Sequence, residues 1–455
     1  MNRNRAANRR IGSAAVLLLG SFALIQTTAA TAQIPDAHST VARRSLAAAS
    51  VKSGRHPLRR PKRALQSSFV SIPPDTSASG QTNAGAQASS PAAPLPPGPY
   101  SLPSGAVTVS TSAQLAAALA AGAPNVVLTD GTYGSSAPFS DAGGTGLYAQ
   151  HHGGAVLTTG LVVGGNFGSG GTVVQGLSFD VSDPGKAFQG GEIDIWGPQG
   201  AGTQVLDCTF EGHGVVPVGL LALEPDGLVA RRLTFSHFSD EGIRASDNIA
   251  VPYGHDTPEI DSISDISVDG VSRSTPGASN GTAESGLWIG EPVKNGVDRI
   301  RIRNASISGI EVVNNSWDTT FSDLDIDMSG PDESAGVGIY LEHFAMHDVF
   351  TNLEIVGANT GINAEWNDGT SGNAASHGTT IENGTIDAVG ASGKGNHAGV
   401  YLDEGTDSTT ISNIAFRNQN WAGIGEYKNV GTNDFGTGNT YNLGAGAVPT
   451  SPNHI

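Results

Sequence analysis

Three short stretches carry an acid at the same place. Residues 338–343 read GIYLEH, 361–366 read GINAEW and 399–404 read GVYLDE. Each opens on Gly and an aliphatic residue, and the fourth residue after the Gly is an acid: Glu342, Glu365 and Asp403. Tyr340, Asn363 and Tyr401 stand two residues earlier, and His343, Trp366 and Glu404 follow. Carboxylates stacked a few ångströms apart repel, so one keeps its proton or a cation sits between them. A carboxyl held protonated near neutral pH is what a general acid requires. His343 is a further acid–base candidate. The catalytic candidates are thus Glu342, Glu365, Asp403 and His343.

These acids are useful only if something stacks them. The Gly-aliphatic start recurs as VGLLALE from 218, EGIRASD from 241, SGLWIGE from 285, SGIEVVN from 308, VGIYLEH from 337, TGINAEW from 360, AGVYLDE from 398 and AGIGEYK from 422. Several starts lie 23 or 24 residues apart, and the others are longer by loop-sized amounts. A second strand-like run ending in a turn follows each, such as LVARRLTFS or RIRNASISG. The first and third residues after the Gly are apolar, from Leu220 and Ala222 through Ile339 and Leu341 to Val400 and Leu402. Period-two alternation puts them on one strand face, and repetition stacks them into a ladder. Units of this size, with no long helical pattern after residue 122, predict a parallel β-solenoid.

The second and fourth residues then point outward. The second positions are Leu221, Arg244, Trp288, Glu311, Tyr340, Asn363 and Tyr401. Aromatics beside carboxylates suit a sugar-binding groove, since ring faces cover apolar sugar faces and carboxylates bind hydroxyls. The substrate-binding candidates are Arg244, Trp288, Glu311, Tyr340, Asn363, Trp366, Tyr401 and Glu404. Acids on adjacent coils, about 4.8 Å apart, suit a retaining glycosidase, and acids two coils apart suit an inverting one. Two blander readings stay open. The acids are solvated strand ends beside a stiffening aromatic stack, or they hold Ca²⁺.

AVTVSTSAQLAAALAAGAPNVVLTDGTY at 106–133 reads strand, helix, strand. Ser110, Thr111 or Ser112 can cap the helix, and Leu115, Ala118 and Leu119 share one face. Such a helix would cover the open first coil. This segment and the coils resemble the right-handed parallel β-helix family, the pectin-lyase-like proteins, over roughly 99–445. The resemblance implies an all-β right-handed parallel β-helix with a short N-terminal capping helix. That family holds lyases, hydrolases, epimerases and non-catalytic surface proteins, so it does not choose an activity.

Gly212-His213-Gly214 matches the G-H-G of polygalacturonase-like hydrolases, but their Asp-Asp pair is absent and RIRIR at 299–303 only loosely replaces R-x-K. A turn histidine explains it equally. His151-His152 lacks metal-ligand spacing, and the single cysteine, Cys208, sits among apolar neighbours as a core thiol would.

The first 32 residues have a basic front, an apolar stretch from Ala14 to Ile25 and an A-x-A end, the pattern of a secretory signal. Residues 33–98, basic and then rich in Pro, Ala and Ser, lack apolar periodicity and read as a disordered linker before a β-helix domain at 99–455. Residues 1–63 hold 12 of the 24 Lys and Arg and one acid, leaving 12 basic against 41 acidic residues, a formal charge of −29, for the rest. A body so acidic argues against nucleic acid as a partner, since that binding needs cationic surface. The basic part of the linker can touch an anionic cell envelope weakly, by charge.

The expectation is an exported protein, secreted or at the cell surface, whose partner is a neutral or weakly charged polysaccharide. Glycoside hydrolysis is the first reading, with no cofactor. A non-catalytic envelope or adhesion solenoid and a Ca²⁺-assisted polysaccharide lyase are the alternatives.

Overall fold

The computed structural model describes residues 90–454 apart from 142–143, 165–170, 197–199, 224–225, 247–256, 272–284, 314, 330–335, 343–344, 365–375, 390–396, 404 and 428–429. The secretory-signal segment, the linker up to residue 89, and His343, Glu365, Trp366 and Glu404 lie outside the described residues.

Among the described residues, 29 strands form two sheets, of 17 and 12 strands. The Gly-aliphatic segments build the smaller sheet. Glu241–Ala245 pairs in parallel with Ser285–Ile289, and the ladder continues through Ser308–Val312, Val337–Leu341, Thr360–Ala364 and Ala398–Leu402. The larger sheet turns a corner. Val229–Phe238 pairs with Gln204–Leu206 before the corner and with Thr209–Glu211 after it. The architecture is a parallel β-helix, as the resemblance to the pectin-lyase-like proteins implies.

The core lies between the sheets and is stacked by residue type. Leu220, Ile243, Leu287, Ile310, Ile339, Ile362 and Val400 form one fully buried column, in register from coil to coil. Phe179, Phe210 and Phe235 stack from the other sheet at 5.0 and 4.5 Å between ring centroids. Those spacings follow the rise from one coil to the next. The recurring glycine has a steric cause. A Cβ on Gly338 would lie 2.5 Å from the Gly361 carbonyl oxygen and 2.5 Å from Ile355 Cγ2. At Gly361 it would lie 2.3 Å from Ile386 Cγ2. The strand opens by closing onto the opposite sheet, and a side chain has no room there.

The corner of the larger sheet is a column of left-handed residues. Asp207, Arg232, Asp265, Arg299, Asp323, Asn352, Asn383 and Asn413 all have φ between 52° and 60°. They sit on successive coils, as the registers on either side fix. Asn and Asp tolerate this conformation, and the two arginines occupy it inside a charge ladder.

Residues 90–98 are the end of the segment expected as linker. They lie along that corner, with the amides of Ala92, Leu95 and Gly98 each 3.0 Å from Oδ1 of Asp323, Asp265 and Asp207. Tyr100 then donates its hydroxyl to the Ala149 carbonyl at 2.7 Å. A nine-residue helix, Ser112–Ala120, follows. Thr111 caps it, accepting from the Gln114 amide at 3.2 Å, and the Gln114 side chain accepts from the Ser110 amide at 2.8 Å. Leu115, Ala118 and Leu119 are its buried face. Cys208 is a free, buried thiol, which burial pushes up to about 12.

Candidate functional site

Each coil places one side chain of the outward column. Arg244, Trp288, Glu311, Tyr340, Asn363 and Tyr401 are Cα partners in sequence, one coil apart. Glu342 continues the ladder through its amide to the Val312 carbonyl, and Asp403 does so to Ala364. Glu342 and Asp403 are therefore two coils, roughly 9.6 Å, apart along the axis.

The outward face divides in two. Tyr340, Glu342, Asn363, Tyr401 and Asp403 are half-buried. Arg244, Trp288 and Glu311 are only 8%, 7% and 6% exposed. The sites with shifted protonation lie in this buried part. Burial, and then the charge of Glu342, push Glu311 up to about 8. Hydroxyls of Ser308 and Ser285 donate to Glu311 at 3.3 and 3.4 Å, and Arg244 also opposes the shift. Glu311 is thus shifted towards its neutral form, with the carboxyl of Glu342 on the next coil as one of the causes.

Glu241 and Arg244 complete the cluster. Arg244 Nη1 is 3.6 Å from Glu241 Oε1, and the Arg244 guanidinium carbon lies 4.6 Å from the centroid of the Trp288 ring. Glu241 is fully buried; burial and then Asp240 raise it well above the ordinary range, and Arg244 only partly offsets them. Three coils before Trp288, Asp194 is also fully buried, and burial pushes it up to about 7. Among the described residues its two carboxyl oxygens have no hydrogen-bond partner.

The alternation of the sequence pattern breaks at the glycine. Glu241, Ser285 and Ser308 precede it and would fall on the core face by period two. Instead they meet Arg244 and Glu311 on the outward face. That break hid Glu241 and the two serines from sequence reasoning. The sequence reading also missed Asp194; the signal that could have found it is GEIDIW at 191–196, where it stands between two isoleucines two apart.

The remaining motifs lie elsewhere. His213 sits in a turn of the larger sheet, with φ 54°, and bonds Asp180. His151 bonds Asp130 at 3.0 Å on an exposed surface. The arginines of RIRIR are held by ion pairs: Arg299 with Asp265, and Arg301 and Arg303 with Asp325. Among the described residues no three His, Cys, Asp or Glu side chains group as a metal site.

No family model and no curated protein matches the chain. Among solved structures, the catalytic domain of a GH87 α-1,3-glucanase variant in complex with tetrasaccharides aligns at 11% identity and TM-score 0.47, covering 78% of this chain and 60% of that one. A PL6 alginate lyase complexed with a trisaccharide aligns at 14% identity and TM-score 0.45, covering 77% and 86%. PfbA, a surface adhesin of Streptococcus pneumoniae, aligns at 12% identity and TM-score 0.42, covering 74% and 93%. The chain thus spans less than two thirds of that glucanase domain. The fold stands on the strand registers above, not on these likenesses.

Proposed function

We propose that the chain is an exported right-handed parallel β-helix protein that holds a neutral polysaccharide along its outward column and hydrolyses it. Glu311 is the general acid in this reading and Glu342 its carboxylate partner. The observation that carries it is a buried carboxyl, pushed up to about 8, one coil from the acid whose charge adds to that shift. Two carboxyls with opposed protonation are the elements of glycoside hydrolysis; Glu342 stands one coil up and two residues further along the strand than Glu311, an offset of about 8 Å that suits the inverting course. Glu311 protonates the leaving oxygen, and Glu342 takes a proton from the water that attacks the sugar carbon as that bond breaks. Tyr340, Asn363 and Tyr401 line the path of the chain and Asp403 contacts its hydroxyls, while Glu365, His343, Trp366 and Glu404 remain candidates by their place in the sequence repeat. The right hand follows the general rule for parallel crossovers, and the helix at 112–120 closes the first coil.

Two features favour a neutral sugar over a uronate. Arg244 is committed to Glu241 and the Trp288 ring. The chain beyond residue 63 carries a formal charge of −29, which repels polyanions. The close burial of Glu241, Trp288 and Glu311 favours a second reading, in which they are a polar seam inside a non-catalytic envelope solenoid. A panel of neutral and acidic glycans separates the classes. New reducing ends without absorbance near 230 nm support the hydrolase, both together indicate a lyase, and neither leaves the surface protein.

A further inference from the structure

The corner column alternates in sign over five coils, Asp207, Arg232, Asp265, Arg299 and Asp323. Arg232 forks onto Asp207 with Nε–Oδ1 2.5 Å and Nη2–Oδ2 2.9 Å. Arg299 forks onto Asp265 with 2.6 and 3.1 Å. Each pair is a planar, charge-assisted fork. Burial pushes Asp207 and Asp265 up, but bonds from Arg232 and Arg299 and from the amides of Gly98 and Leu95 outweigh it, and both carboxyls lie below their usual range. An aspartate therefore stands on every second coil, with Oδ1 turned to the strap.

The strap answers with the same period. SPAAPLPPGPY, residues 90–100, has proline at 91, 94, 96, 97 and 99. Its docked amides are at 92, 95 and 98, three residues apart. Polyproline II has three residues per turn and a rise of 3.1 Å, so one turn advances about 9.3 Å. Two coils of the solenoid advance roughly 9.6 Å. The two helices are commensurate, and each turn of one presents a donor where each pair of coils presents an acceptor. Proline fixes this backbone before docking, so little chain entropy is lost. Side chains contribute little to the match: Leu95 is 50% exposed. A Cβ on Gly98 would lie 3.6 Å from the Arg232 guanidinium.

We propose that the column from Asp207 to Asp323 is a peptide-docking track that recognises a polyproline II segment by amides at every third residue, with residues 90–98 of this chain as its occupant. The track reads backbone pitch and donor spacing. It lies on the corner of the larger sheet, apart from the outward column of the smaller one, and does not depend on the glycan reading.

The test removes a donor and keeps the helix. Leu95→Pro deletes one amide and preserves polyproline II; Leu95→Ala keeps the amide and trims a half-exposed side chain. Hydrogen exchange on the full-length protein is expected to show the Ala92 and Gly98 amides protected at least about ten-fold relative to the free 90–100 peptide. Leu95→Pro returns both towards the free-peptide rate, and Leu95→Ala leaves them unchanged. A double variant, Leu95→Pro with Gly98→Pro, vacates the track and then binds labelled SPAAPLPPGPY peptide, but not the peptide carrying the same two substitutions. Free-peptide exchange rates in the wild type, unchanged protection in Leu95→Pro, absence of peptide binding by the double variant, or equal binding of both peptides would each overturn the proposal.

Discussion

Arg244 is shared between Trp288 and Glu241: its guanidinium carbon lies 4.6 Å from the centroid of the ring on the next coil, and Nη1 is 3.6 Å from the carboxyl on its own strand. The ring shields a cation that burial would otherwise penalise. Trp288→Ala removes that face together with a buried side chain and is expected to cost about 3–5 kcal/mol in urea denaturation. Trp288→Phe keeps an aromatic face and costs less. Equal losses for the two would show that the ring acts only by volume.

Glu311→Gln should lower hydrolysis by about 10²–10⁴-fold while the fold persists. Reducing-end assays on the glycan identified by the panel, with circular dichroism as control, check this. Full activity in the variant would remove Glu311 from the mechanism.

The same carboxyl makes stability fall with pH. Its folded value, about 8, lies above the ordinary 4.5, so the folded state holds a proton that the unfolded state releases. The contribution is present below pH 4.5 and is lost as pH rises towards 8, on the order of a few kcal/mol. Asp194, raised from 3.8 to about 7, acts in the same direction. Urea midpoints measured from pH 5 to 8.5 should decline, and Glu311→Gln should flatten the decline.

Glu342→Gln tests the coupling separately from the chemistry. The Glu342 charge helps raise Glu311. Without it, the pH at which stability falls off should move towards acid. An unmoved profile would mean that burial alone sets Glu311.

Gly338→Ala should destabilise by about 1–3 kcal/mol or more. Its Cβ would meet the Gly361 carbonyl and Ile355 Cγ2, both at 2.5 Å. A melting temperature equal to that of the wild type would show that the two sheets can spread at that point.

Much of the fold was legible because a solenoid repeats its rule. Ile339, Ile362 and Val400 announce one face by period two, and the spacing of their glycines announces the coil. The strap was not legible. Its prolines carry no apolar pattern, and its acceptors lie 231, 170 and 109 residues away in sequence. The site was legible as a column but not as an environment. Tyr340 and Trp288 occupy equivalent positions, yet one is half-buried and the other nearly closed off. Burial of that kind depends on what rises beside each coil, which the period does not encode. Glu241 was hidden for another reason, since the glycine after it interrupts the alternation by which strand faces are read.

The alternating corner gives the coils parity. Solenoids lengthen by duplicating coils, and a core of stacked isoleucines accepts one coil as readily as two. Between Asp207 and Asp323 it does not. One coil gained or lost there sets arginine against arginine or aspartate against aspartate, and turns a cation towards a strap amide. Two coils restore both the forks and the acceptors. In this stretch the heritable unit is the pair of coils, so relatives that keep the strap should differ in length there by even numbers of turns, each pair accompanied by three residues of proline-rich chain.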